Sequence, residues 1–321
     1  MQERYASRGN KDIQGSFPVF DQKRSLSRIG FNEMFVVPHT LLRKFSLTAI
    51  YADTQHGNGI IFPFISAAMF LCLLCMISNF IHEWNTDMDK ALQNVPVLLS
   101  AVLAWFGGLL LYATSKKMKR LLGLTKSLWT KQLEENVDVT VIEAAKRSIL
   151  FNIVYGFFIF TVGTLYLITP FVQIVKEFVT AHDDVQFNLN IRFLPVRYPF
   201  AIDTIPTYIM CTIFEVSCVF FFMIAYTSVD TLFLQFTTIG SLLLMSVGQN
   251  MKKVTLHVNA GRLDQPLFKK LDHFGKQHSE LLLYCQSTEE IFKPIIYLII
   301  LFTSANLGIC VMALESTDMI K

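Results

Sequence analysis

Long apolar runs, set apart by polar and charged stretches, organise the chain. Residues 60–81, 95–113 and 148–172 each approach or exceed the roughly 20 apolar residues that a helix needs to cross a bilayer. A fourth run opens at Ile205-Pro206, where proline suits a first helical turn because its missing N–H leaves no bond unmade. It stays apolar to Val229 with one carboxylate, Glu215, inside it, meets Asp230, and resumes to Gly248. One helix over 205–248 would be roughly 66 Å long at about 1.5 Å per residue, about twice the hydrocarbon thickness. It is therefore one span with an extension, or two spans. The last run, 291–314, carries Lys293-Pro294 near its start. The pattern predicts an all-α, polytopic membrane protein.

Charge decides between the two readings of the fourth run. Lys and Arg collect in cytoplasmic loops. With one span, residues 1–59, 114–147 and 251–290 share a side and bring eight, eight and six basic residues, 22 in all. The opposite side holds Lys90, then Lys176, Arg192 and Arg197, then Lys321, five in all. Splitting at Asp230 sends the six of 251–290 across and erodes the asymmetry. The single-span reading gives five transmembrane helices with the N-terminus cytosolic. Residues 1–59 form a cytosolic segment. Residues 60–250 hold helices one to four, with an inner loop at 114–147, an outer loop at 173–204 and a cytosolic extension of helix four. Residues 251–290 make a cytosolic helical region, 291–314 the fifth span, and 315–321 an outer tail. The apolar character of 231–248 then requires burial against partner helices. Within the first segment, 31–50 has scattered apolar positions that predict a helix lying on the membrane surface. Residues 82–94 read as a short acidic loop.

Composition agrees: 52% of the 321 residues are hydrophobic, more than a soluble domain usually carries. Five of the six cysteines lie in apolar runs, so neither a disulfide framework nor a metal is expected, and Cys72 and Cys75 read as small packing residues. Gly107-Gly108 reads as a site of close helix approach. No Ser/His/Asp set, phosphate-cradling glycine loop or carboxylate pair shares an aqueous region, so no enzyme and no cofactor are expected. The basic stretches are separated and flank spans, which argues against nucleic-acid binding.

Two stretches carry a resemblance. The first is Leu194-Pro195-x-x-Tyr198-Pro199-Phe200, then Ile205-Pro206-x-Tyr208, then Asp230-x-Leu232-Phe233. The second is His278-x-x-Leu281-Leu282-x-Tyr284, then Glu290-Ile291-Phe292, then Ser304 and Ile309-Cys310. In order and spacing they resemble the insect olfactory receptor family. That resemblance implies a seven-helix, N-in fold and an odorant-gated, non-selective cation channel subunit. It implies a volatile ligand, an olfactory co-receptor as partner, and the plasma membrane of olfactory sensory neurons as location. The short 251–290 region is that of a ligand-tuning subunit rather than the co-receptor. With five spans, the chain is expected to be truncated before the pore-lining seventh helix. The alternatives are a gustatory-receptor-like chemoreceptor, or a complete five-helix transporter-like or accessory membrane protein.

Intramembrane carboxylates are costly and functional by default, which singles out Glu215. At a 3.6-residue period, Tyr208, Cys211, Thr212, Glu215, Val219, Phe222, Tyr226 and Asp230 form one semi-polar stripe that should face protein or a cavity. Tyr155, Ile159, Val162 and Tyr166 share one side of the third span. The expected ligand-binding residues are Tyr166, Tyr208, Cys211, Phe214, Glu215 and Trp105. Asp230 is expected to form a structural salt bridge to a neighbouring helix. His278 and Tyr284 are expected in buried helix contacts of the region that, in the family resembled, anchors subunits together.

Overall fold

A computed structural model describes residues 31–44, 61–134, 139–180, 189–259 and 265–319. All its regular elements are helices: α1 Phe31–Met34, α2 Val36–Lys44, α3 Ile61–Thr86, α4 Met88–Ala113, α5 Ser115–Glu134, α6 Val139–Thr180, α7 Ile205–Asn259 and α8 Gln265–Met319. Five of them, α3, α4, α6, α7 and α8, are long and apolar enough to cross a membrane.

The fourth apolar run is one uninterrupted helix of 55 residues, about 82 Å long at about 1.5 Å per residue. It passes through Asp230 without a break, so there are not two spans. Every helix from α2 onward packs on it. Around its first half, Cys218, Val219 and Phe222 are buried with Cys72 and Met76 of α3 and Ala101 and Ala104 of α4. Around its second half, Leu232, Phe236 and Ile239 are buried with Met118, Leu121 and Trp129 of α5 and Tyr284 and Phe292 of α8. Leu232, Phe236, Ile239, Leu242, Leu243 and Val247 are thus covered by partner helices, while Leu244 and Met245 stay exposed.

Two local expectations are corrected. Residues 82–94 are not an acidic loop: α3 runs to Thr86, Asp87 alone separates it from α4, and the Asp87 carboxylate caps α4 by accepting from Lys90 N–H at 3.1 Å. Buried Glu83 then accepts from Asn94 at 2.7 Å and lies 3.4 Å from Lys90, so the acidic residues staple a tight helical hairpin. Residues 31–44 do not simply lie on a surface. Met34 and Phe35 are buried, and the Phe35 ring stands 5.2 Å from that of Phe236, because α7 offers an apolar face that needs cover; residues 45–50 fall outside the described residues. Residues 251–259 are the end of α7, and α8 runs without a break from the polar stretch before Glu290 into the apolar run after it, with Pro294 inside it.

Gly107 explains how α4 lies so close to α7. A Cβ there would stand 3.0 Å from Cγ2 of Val229, and one on Gly108 would stand 3.5 Å from the Cβ of Ala225. The pair is a packing device, as small residues at membrane helix contacts commonly are. By contrast α6 exposes Leu150, Phe151, Phe157, Phe158, Leu165 and Phe171, an apolar band suited to lipid.

Candidate ligand-binding cavity

Three helices each contribute one face, with the i, i+3, i+4, i+7 spacing of a single helical side. On α7 the face is Val219, Phe222, Met223 and Tyr226; on α6 it is Ile159, Val162, Gly163 and Tyr166. On α4, Val97, Ser100, Ala101 and Ala104 complete it. These α4 side chains are mostly small, and the space they leave is a cavity of about 430 Å³, within the usual range for a small-molecule site. Its walls are almost wholly apolar. The polar groups are the phenols of Tyr166 and Tyr226 and the Ser100 hydroxyl, which donates to the Pro96 carbonyl at 2.8 Å.

Gly163 has a specific steric role. A Cβ built on it would fall 2.0 Å from the Met223 sulfur. The thioether lies over the bare glycine, and both residues line the cavity.

One end of the cavity is closed by non-helical chain. Leu194 enters the wall beside Val219 and Phe222. The segment that carries it is held at several points. Glu215 of α7 accepts from the backbone N–H of Phe193 at 2.9 Å and of Leu194 at 3.3 Å, and from the Tyr198 hydroxyl at 3.1 Å. Arg197 N–H donates to the Cys75 carbonyl of α3 at 3.1 Å. The Tyr208 hydroxyl donates to the Ile191 carbonyl at 2.9 Å, and the Arg192 guanidinium stands 5.3 Å from the centre of the Tyr208 ring. Burial first, and the charge of Glu215 second, push the Tyr198 phenol well above its ordinary pKa, so it stays protonated and donates.

Beyond the other end, Asp230 accepts a hydrogen bond from Tyr155 of α6. The expected salt bridge is therefore replaced by a neutral donor, which reaches the carboxylate from the adjacent helix. Asn152 and Gln235 pair between the same two helices.

Among the residues singled out in the sequence, Tyr166 lies in the cavity wall. Tyr208, Cys211 and Glu215 occupy the same α7 stripe beyond the cavity, facing the 191–198 segment, and Phe214 packs partly buried against that cluster. Trp105 turns towards α3: its indole N–H donates to the carbonyl and hydroxyl of Ser66, both at 3.1 Å, and its ring stacks on Phe70 at 5.2 Å. His278 is exposed, as are Leu282 and Cys285 on its face. Tyr284 is buried within the chain and donates to the Phe236 carbonyl at 2.6 Å. Of the expected ligand-binding residues only Tyr166 lines the cavity; the set omitted the α4 face, Leu194, Gly163 and Met223, and left Ile159, Val162, Val219, Phe222 and Tyr226 as helix stripes only. The small-residue spacing of α4 was the available signal for the first; nothing periodic marks Leu194. Among the described residues no group of three or more His, Cys, Asp or Glu converges as a metal site.

A family model described as 7tm Odorant receptor matches residues 87–317. The insect olfactory receptor OR5 from Machilis hrabei has a similar structure, with a TM-score of 0.54 and 12% sequence identity over 87% of this chain and 71% of that one. At that identity the likeness shows the fold alone. No curated protein matches.

Proposed function

The chain belongs to the 7tm odorant receptor family, and from that premise we propose that it is the ligand-tuning subunit of an odorant-gated, non-selective cation channel. In this reading it acts with the olfactory co-receptor in the plasma membrane of olfactory sensory neurons. The observation that carries the ligand part is the cavity between α4, α6 and α7: about 430 Å³, almost wholly apolar, with two phenols. Such a site suits a volatile molecule with one hydrogen-bonding group. Burial of its apolar surface supplies affinity, and a phenol supplies orientation.

The distribution of basic residues supports a cytosolic position for α5, the second half of α7 and the first half of α8. Pro96 and Leu194 then mark the outer end of the cavity and Tyr226 its floor, so a ligand arriving from outside meets the Leu194 end first. The exposed His278, Leu282 and Cys285 face of α8 is offered as the contact with neighbouring subunits.

Binding is tested on the chain in lipid nanodiscs, by the rise in thermal midpoint that volatile alcohols, esters and ketones produce. Some are expected to stabilise the protein, and Phe222→Ala or Tyr226→Ala to cut apparent affinity roughly tenfold or more, since a buried ring is worth about 1–3 kcal/mol. Stabilisation unchanged by both substitutions would place the ligand elsewhere. The channel part is tested by co-expression with the co-receptor. An odorant-evoked current no different from that of the co-receptor alone, with the chain at the cell surface, would overturn it.

A further inference from the structure

Non-helical backbone packed among helices and away from water needs protein acceptors for its N–H groups. The 191–198 segment is such backbone, and it lies between α3 and α7. Glu215, only 1% exposed, meets it. One carboxylate oxygen accepts both the Phe193 and Leu194 N–H groups, at 2.9 and 3.3 Å, and the other accepts the Tyr198 hydroxyl at 3.1 Å. Arg197 N–H is taken up by the Cys75 carbonyl at 3.1 Å. Leu194, held between these points, is the residue of the segment that lines the cavity.

We propose that Glu215 is a positioning residue for ligand selection: by fixing the 193–198 segment it sets Leu194 as the roof of the cavity, and the height of that roof sets the length of the apolar ligand accepted. The inference rests on the reading of the cavity as the ligand site. Glu215 is not in the cavity wall, so it acts through Leu194 and not by touching the ligand. Its function is geometric. A glutamine places its amide oxygen on the two backbone N–H groups and its NH₂ on the Tyr198 hydroxyl oxygen, which keeps all three bonds. Alanine keeps none.

The test uses the chain in lipid nanodiscs and straight-chain primary alcohols from butanol to decanol, each read by the thermal midpoint it induces. Stabilisation by the unaltered chain should climb with alcohol length to a maximum and then fall. Leu194→Ala is expected to move that maximum to longer alcohols, with binding about fourfold tighter for each extra methylene accommodated, or about 0.8 kcal/mol. Glu215→Ala is expected to move it in the same direction, and Glu215→Gln to leave it in place. Tyr226→Ala, at the floor of the cavity and away from the roof, is the cavity control. If Tyr226→Ala weakens the alcohols while Leu194→Ala and Glu215→Ala leave the maximum unmoved, the latch is wrong and the cavity stands. If none of the three changes anything, the cavity reading fails and takes the latch with it. Should Glu215→Ala not fold, Tyr198→Phe takes its place. It removes one of the three bonds and keeps the ring, and an unmoved maximum there overturns the proposal.

Discussion

Tyr155 and Asp230 show how a single polar contact is placed inside a membrane bundle. The phenol of α6 donates to a carboxylate of α7 that lies between Tyr226 and the apolar second half of the helix. Removing a donor from a buried acceptor costs about 1–3 kcal/mol. Tyr155→Phe is therefore expected to lower the thermal midpoint in nanodiscs, and Asp230→Asn to do so less, because the amide oxygen still accepts. An equal or larger loss for Asp230→Asn would show that the ionised carboxylate itself matters. The wall residues make a second prediction. Gly163→Ala puts a methyl where the Met223 sulfur lies, so the thioether has to swing away, and both residues line the cavity. Ligand preference should shift towards smaller volatiles, with little change in expression; an unshifted ranking would mean Met223 moves away from the ligand space. Much at this scale was readable in advance. The stripes Val219, Phe222, Tyr226 and Ile159, Val162, Tyr166 follow from helical period alone, and they meet across the cavity. The partners of Glu215 did not follow, because they belong to an aperiodic segment, two of them backbone N–H groups more than 20 residues earlier and the third the Tyr198 hydroxyl. Trp105 was equally unreadable: its direction depends on Ser66, a helix away.

At the scale of elements, close approach decides which helices can touch. Gly107 admits Val229 of α7, and Gly240 admits the ring of Tyr284, each with 3.0 Å from a notional Cβ to the neighbouring atom. Gly107→Val is expected to cost about 1–3 kcal/mol through overpacking. Gly123 of α5 has open space around its notional Cβ, so Gly123→Ala should be neutral or stabilising by up to about 1 kcal/mol through helix propensity. Equal destabilisation by both would mean that glycine acts there through backbone freedom and not through contact. Helix ends were the least legible part. Residues 82–94 look like a loop by charge, yet Glu83 bonds Asn94 across the hairpin and Asp87 caps α4. Both carboxylates serve the helices they flank. The joining of 265–290 to 291–314 in α8 was hidden because a change from polar to apolar surroundings leaves the backbone no reason to stop.

For the molecule as a whole, membership of a receptor family removes the transporter-like alternative and places the chain outside enzyme chemistry. The orientation rests on the 22 basic residues of 1–59, 114–147 and 251–290 against five on the other side. Epitope tags at the N-terminus and in 260–264 are expected to stain only after permeabilisation, and one in 181–188 on intact cells. A tag in 260–264 that stains intact cells would invert the proposed topology and move the cavity to the opposite face of the membrane. The five spans and the single helix over 205–248 were legible, because length, hydropathy and charge are properties that a sequence carries directly. The insertion of Met34 and Phe35 beside Phe236 was not, since it joins parts of the chain about 200 residues apart.

The unbroken run of α7 also has a mechanical consequence. Tyr226, at the cavity, and Val254, near the far end, are joined by hydrogen-bonded helix about 42 Å long at about 1.5 Å per residue. A rod of that length turns rotation into travel. If a ligand wedged against Phe222 and Tyr226 tilts α7 by about 3°, the far end sweeps about 2 Å, larger than the few tenths of an ångström by which packed side chains ordinarily adjust. α5 and α8 pack on the half of α7 beyond Asp230 through Trp129, Tyr284 and Phe292, so they are carried along with it. Spin labels at exposed Leu244 and Leu271, read against one on α3, would register the stroke as a ligand-dependent change in distance.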